Sequence, residues 1–232
     1  NYMTIFYDLN VAPEIEVIEQ LEEFGFNGAC IFYDSNEYDM SIKESFDKLN
    51  EDTHMTLYHG VCIDETNPKL LRNTVQRFYK KVDLIMANGG DSKINRAICE
   101  MPQIDIINHP YLNNRNSGIN HVLAKLLVKN NISVNINLMD ILKNRGYYKA
   151  RILNQINQLL LLENKYNFRV VISSGSECFY DVRSPKSMIL LNQTMNMDLK
   201  HAKNTISKNP LEIIKNITKH KNSIIDGVQI IE

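Results

Sequence analysis

The sequence predicts one α/β domain over residues 1–232, folded as a TIM-barrel-like (β/α) barrel of about seven parallel strands with extra C-terminal helices. Three observations carry this expectation. Short apolar runs alternate with longer segments whose apolar residues recur at helical spacing. The runs are apolar on both faces, as strands buried in a parallel sheet are. No Gly-rich turn follows an early strand, which weighs against a doubly wound open sheet. A length of 232 residues with 44% hydrophobic content suits a single large core.

The elements follow in order. Residues 3–8 read as the first strand. Helix 13–24 places Ile15, Val17, Ile18, Leu21 and Phe24 on one stripe, with Pro13 in its first turn and Gly25 as its stop. Strand 28–33, helix 41–49, strand 55–63 and helix 68–79 continue the alternation. Strand 82–87 leads into Asn88-Gly89-Gly90-Asp91 and a helix reaching Cys99. Strand 104–108 ends at His109-Pro110, and helix 119–129 carries Val122, Leu123, Leu126 and Leu127 on one side. Strand 132–136 and a long helix over 151–166 precede strand 169–173, which ends at Ser174-Gly175. Helices 185–195, 199–207 (capped by Asp198) and 211–218 close the chain.

Composition narrows the class. No apolar run approaches the roughly 20 residues a membrane helix needs. Residues 4–8 already read as a strand, so no leader is expected and the chain is expected to be cytoplasmic. Cys30, Cys62, Cys99 and Cys178 form no CxxC pair, as suits buried free thiols in a reducing compartment. Abundant asparagine, a thermolabile residue, points to a mesophile. The formal net charge is only −1, but it is split. Residues 1–66 hold 15 acids and 2 bases, net −13; residues 67–232 hold 24 bases and 12 acids, net +12. Such a contrast puts a polyanion-facing surface on the later portion, with uneven drift of surface charge as the plainer alternative.

Barrel chemistry sits where strands end and βα loops begin. Those ends carry Tyr7 and Asp8, Tyr33 and Asp34, His59 or Asp64, Asn88 to Asp91, His109, Asn135 or Asn137, and Ser173 to Gly175. A metallohydrolase would open with a His-x-His pair after the first strand, and this chain has Tyr7-Asp8-Leu9 there. Asp8, His59 and His109 could hold one metal, or serve as polar groups at the mouth. Ser173, Ser174 and Gly175 could cradle a phosphate with backbone amides or form a tight turn. No Ser-His-Asp or Cys-His arrangement is recoverable. His121 reads as a packing or capping residue, His201 and His220 as surface residues. Basic residues beside the loops are more specific: Lys93, Arg96, Arg115, Lys125 and Arg183 form a candidate RNA footprint, because the guanidinium fork matches phosphate oxygens.

The run Gly89-Gly90-Asp91-Ser92-Lys93-Ile94-Asn95-Arg96-Ala97-Ile98-Cys99-Glu100, then Asp105-Ile106-Ile107-Asn108-His109-Pro110, resembles archaeal ribonuclease P protein component 3. So do Ser117-Gly118-Ile119-Asn120-His121-Val122-Leu123-Ala124-Lys125, Arg151, Val170-Val171-Ile172-Ser173-Ser174-Gly175, Tyr180-Asp181-Val182-Arg183-Ser184-Pro185 and the opening Phe6-Tyr7-Asp8-Leu9-Asn10. The resemblance spans essentially the whole chain. It implies a barrel of the polymerase-and-histidinol-phosphatase type whose metal-ligand set is largely lost. It further implies a subunit of the holoenzyme that removes the 5′ leader from precursor tRNA. Catalysis would then rest with the ribonuclease P RNA and its Mg²⁺, with no cofactor or metal on this chain. Its partners would be that RNA, protein component 2 and other holoenzyme subunits, with precursor tRNA met indirectly. The loop Asn113-Asn114-Arg115-Asn116 departs from the family in carrying asparagine where charge is common. A metal-dependent phosphoesterase on the same barrel is the alternative.

Overall fold

A computed structural model of the chain describes residues 4–221, 223–225 and 228–229. Seven parallel strands follow one another around a barrel in chain order: β1 (Tyr7–Val11), β2 (Gly28–Asp34), β3 (Thr56–Ile63), β4 (Leu84–Asn88), β5 (Ile106–Asn108), β6 (Ser133–Asn137) and β7 (Val170–Ser173). Between them run α1 (Ile15–Glu23), α2 (Met40–Glu51), α3 (Pro68–Phe78), α4 (Ser92–Cys99), α5 (His121–Lys129), α6 (Leu138–Leu142) and α7 (Gly146–Tyr166). A 3₁₀ turn (Phe179–Asp181), α8 (Pro185–Gln193), α9 (Leu199–Asn204), α10 (Lys208–Lys221) and a small antiparallel pair, β8 (Ser223–Ile225) and β9 (Val228–Gln229), complete the described chain.

Asparagine and aspartate start many of the helices. Asp39, Asn67, Asp91, Asn120 and Asp198 accept backbone N–H groups of the first turns of α2, α3, α4, α5 and α9, filling donors that have no partner inside the helix. The structure differs from the expected elements at several places: β5 is shorter (Ile106–Asn108), α9 ends at Asn204, α10 runs from Lys208 to Lys221, and the β8–β9 pair follows it. β1 begins at Tyr7, four residues after the anticipated start (residue 3 lies outside the described residues). The segment after β6 turns at once into α6, and α7 starts at Gly146, well before residue 151.

Strand alternation divides the core in two. Ala29, Ile31, Val61, Ile63, Ile85, Ala87, Ile107, Val134 and Ile136 face outward and pack under the helices. Tyr7, Leu9, Cys30, Leu84, Met86, Ile106 and Val171 face inward, where Ile213, Ile214 and Ile217 of α10 join them. The C-terminal helix thus lies against the barrel's interior residues. The burial at each large aliphatic position is of the order of 1.5–3 kcal/mol.

Closure between β1 and β7 uses no full strand ladder. Gly175 N donates to Asn10 O (3.1 Å), Ala12 N donates to Ser176 O (2.9 Å), and Val11 bridges Ser176. Below that point the strands part, and residues 205 and 206 fill the gap: Ile172 N donates to Thr205 O and Tyr7 N to Ile206 O. Buried Asn192 holds this insert through the Thr205 hydroxyl (3.1 Å). The fully buried Asp8 carboxylate accepts Ser174 N and Asn10 N at the seam.

Burial raises the Asp8 carboxyl from its ordinary 3.8 to about 6, against the opposing pull of the Ser174 and Asn10 hydrogen bonds. The folded state therefore holds its proton more tightly than the unfolded chain. Stability from this group is complete below about pH 4 and is lost as pH rises through 6. Asp8→Asn should remove that component. Thermal melts across pH 4 to 7 should show the variant gaining on the wild type as pH increases; a constant difference would contradict the assignment.

Candidate functional site

The upper interior of the barrel is lined by amides and hydroxyls. Asn108 Nδ2 donates to Asn88 Oδ1, and Asn135 Nδ2 to both Asn108 Oδ1 and Ser173 Oγ, each at 2.9 Å. The Cys62 thiol donates to Asn88 Oδ1 at 3.4 Å. The register places Asn88, Asn108 and Asn135 side by side on β4, β5 and β6, so one ladder ties five strands, β3 to β7, across the mouth. These donors are neutral, and among the described residues no three His, Cys, Asp or Glu side chains are grouped to hold a metal. A resident cation of the kind such barrels carry does not fit this set.

The three residues that could have shared a metal point to different places. Asp8 is committed to the β1–β7 seam. His59 lies on the outer face of β3, stacked on Phe46 (4.6 Å between ring centres) and bonded to the Tyr38 hydroxyl (3.2 Å). His109, with a strained backbone φ of 33°, has Nδ1 3.5 Å from Asp140 Oδ2, which accepts the buried Tyr111 hydroxyl at 2.8 Å. Burial and the adjacent Asp140 push the Tyr111 phenol well above its usual range, so it stays a donor.

Ser173, Ser174 and Gly175, expected to cradle a phosphate or to form a tight turn, already have partners for their polar groups within the chain. Ser173 Oγ is taken by Asn135, Ser174 N by Asp8 and Gly175 N by Asn10 O, while the Ser174 and Ser176 hydroxyls pair at 2.6 Å. Gly175 sits at φ +65°, where a Cβ would meet Asn137 Oδ1 at 2.0 Å. The amides are spent on barrel closure, and the glycine serves the turn. His201 is likewise not a plain surface residue: its Nε2 lies 3.1 Å from Glu163 Oε1, a hydrogen bond that raises its pKa. The side chain of His220 lies outside the described residues.

Of the basic candidates, the structure places Lys93 and Arg96 on one cleft. Lys93 and Arg96 of α4 line one side of an open cleft of about 410 Å³, whose other side is Asn114, Asn116 and Asn120 of the loop before α5. Arg115 is exposed on that loop and Lys125 on α5. Arg96 is also paired with Glu100 (2.9 Å). Arg183 stands apart, two strands away in the loop after β7, with its guanidinium folded onto Tyr180 O and Val182 O.

Two asparagines that sequence reasoning had not singled out build the cleft. Buried Asn95 accepts Gly90 N (2.9 Å) and donates to Pro110 O (2.9 Å) and Gly118 O (3.0 Å), stitching the β4 and β5 loops together. Asn114 Nδ2 reaches Gly90 O and Pro110 O, while Arg151 and Gln155 of α7 donate to Asn114 O. Gly118 is required there, since a Cβ would fall 1.8 Å from Pro110 O. The local signal for Asn95 was weak, because two of its three partners are 15 and 23 residues away.

With this geometry in hand, comparison is informative. Residues 5–222 match the family described as RNase P subunit p30. The chain belongs to that family. Ribonuclease P protein component 3 of Methanothermobacter thermautotrophicus is 28% identical, covering 97% of this chain and 95% of its own. The homologue from Methanococcus maripaludis strain S2 is 30% identical with 97% of each covered. A chain in the cryo-EM structure of archaeal ribonuclease P with mature tRNA superposes with TM-score 0.87 at 29% identity, covering 97% of this chain and 98% of that one. This RNase P subunit p30 member is therefore a protein subunit of ribonuclease P. Histidinol phosphate phosphatase of Lactococcus lactis, solved with zinc, shares only the fold (TM-score 0.57, 11% identity, 86% and 93% covered).

Asn95→Ala should cost about 3 kcal/mol, the sum of three hydrogen bonds lost and the polar groups left buried without partners. Urea denaturation checks this, and amide exchange should speed up at Gly90 and over residues 110–118; an unchanged midpoint would overturn the assigned role.

Proposed function

We propose that this subunit is a scaffold for the ribonuclease P RNA, and that removal of the 5′ leader from precursor tRNA is carried out by that RNA with its own Mg²⁺. The observation that carries the reading is the pairing of a mouth filled by neutral amides with a basic cleft beside it. An Asn-Ser ladder offers no group that exchanges protons near neutral pH, so it supplies no general base, and it offers a metal no carboxylate or imidazole. Lys93, Arg96, Arg115 and Lys125 supply what an RNA backbone needs, cations on a preformed surface. The first β/α units, with their excess of acids, would stay clear of RNA and be open to proteins, protein component 2 among the subunits it would work with. The family membership and the likeness to a ribonuclease P chain bound with tRNA agree with this assignment.

Binding of the ribonuclease P RNA should weaken linearly in log–log salt plots, and replacing Lys93 and Arg96 together by Glu should flatten the slope by about 1.4–1.8 as two phosphate contacts go. The double variant should fold normally, both residues being exposed. Arg183→Glu should have a smaller effect, its guanidinium being engaged with its own loop. Equal affinity and slope for wild type and the Lys93/Arg96 variant, by filter binding at several salt concentrations, would overturn the footprint. Robust metal-dependent phosphoester hydrolysis by the purified chain without RNA would overturn the scaffold reading itself.

A further inference from the structure

The nine residues 143–151 contain four bases, Lys143, Arg145, Lys149 and Arg151, and no acid. At their centre, in the first turn of α7, stand Tyr147 and Tyr148, with 76% and 65% of their surface exposed. Their rings lie 5.9 Å apart at 74°, so each supports the other edge-on and leaves faces open to solvent. Lys143 is paired with Glu177 (2.7 Å) and Arg151 with Asn114 O, which leaves Arg145 and Lys149 as the cations beside the rings. Two neighbouring tyrosines this exposed gain nothing from folding, since their apolar area stays in water. A partner with flat faces and negative charge would gain from both the rings and the cations around them.

Position supports the same conclusion. α7 begins at the end of the barrel where the βα loops gather, directly after β6 and α6. Tyr147 is one helical turn before Arg151, whose guanidinium donates to Asn114 O in the loop that carries Arg115. Tyr147 thus lies one helical turn from the arginine that holds Asn114, a residue lining the cleft of Lys93 and Arg96. Arg145 is exposed, so its guanidinium is accessible to a ligand.

The chain holds its own contrast. Phe179 and Tyr180 form a second exposed ring pair, 4.9 Å apart at 71°, but they border a cleft lined by Glu14, Glu16, Glu19, Glu23 and Glu177. The same aromatic geometry over carboxylates would repel RNA. Ring pairs therefore differ by their electrostatic setting, and only the one on α7 suits a polyanion.

We infer that Tyr147 and Tyr148 are a stacking platform for unpaired nucleobases, with Arg145 and Lys149 holding the flanking phosphates. Base–aromatic stacking tolerates any sequence and depends on the ring rather than the phenol. The occupant is an unpaired segment of RNA, which rests on the RNA-scaffold reading above. A protein surface is the competing occupant, because tyrosine also anchors protein interfaces.

The test uses the full chain with a fluorescein-labelled single-stranded oligouridine, a blunt RNA duplex and the ribonuclease P RNA. Tyr147→Ala/Tyr148→Ala should weaken single-strand binding at least ~10-fold at every salt concentration, with the salt slope unchanged. Tyr147→Phe/Tyr148→Phe should stay within about 3-fold of wild type, duplex binding should be unaffected, and Tyr180→Ala should change nothing. The chain has no tryptophan, so Tyr147→Trp provides a single reporter whose emission should be quenched by the oligouridine. Wild-type affinity in the Ala pair, with binding still sensitive to Lys93 and Arg96 reversal, overturns the platform and leaves the scaffold reading standing. Loss of assembly with the other protein subunits at unchanged RNA affinity overturns it in favour of a protein contact. No RNA binding by the wild type at any salt concentration overturns both.

Discussion

Seven strands do not close a barrel in the manner of the usual eight, and the seam between β1 and β7 is the constraint on which the rest of this structure depends. At the upper end the two strands meet through residues 10–12 and 175–176. At the lower end they diverge, and the carbonyls of residues 205 and 206, just past the end of α9, accept hydrogen bonds from strand amides that have no partner in the neighbouring strand. The C-terminal helices are therefore part of the barrel's hydrogen-bond accounting. Asp8 completes the seam by accepting Ser174 N, at the cost of a carboxyl whose ionisation burial disfavours.

Because the strands follow chain order around the barrel, position in the sequence becomes angle around the axis. A charge contrast of −13 against +12 along the chain is thereby converted into two arcs. The acids of α1 and α2 lie on one arc, the bases of α4 to α7 on another. An open sheet with a reordered strand sequence would interleave the two halves and blur the field. Topology, rather than any single residue, makes the surface polar in the electrostatic sense.

The alternation of strands and helices was legible in the sequence because each element carries its own period and its own cap, as Asn120 and Asp91 do for α5 and α4. The placing of Lys93 and Arg96 on one helix just after the Gly89-Gly90 turn was also legible, because Asp91 caps that helix. What escaped is non-local or ambiguous. The Asn88–Asn108–Asn135 ladder links residues 20 and 27 apart and has no local signature. Ser173-Ser174-Gly175 has the composition of a phosphate cradle and of a closure turn alike, and only the direction of its amides separates them. The start of α7 escaped because Arg145-Gly146-Tyr147-Tyr148 buries nothing, and a helix without an apolar stripe gives no periodic signal.

In the proposed scaffold role, the ladder at the mouth would let the barrel serve an RNA without adding charge of its own. A metal site needs anionic or imidazole donors, and those would draw in cations next to phosphates. Amides in register fill the same space, rigidify the strand ends and add no charge. The rigidity then passes outward, since Asn88 and Asn108 end the strands whose loops Asn95 and Asn114 stitch together. The cleft of Lys93 and Arg96 is in this sense built from the inside. Its cations hold their spacing because neutral side chains below them brace the loops beside them.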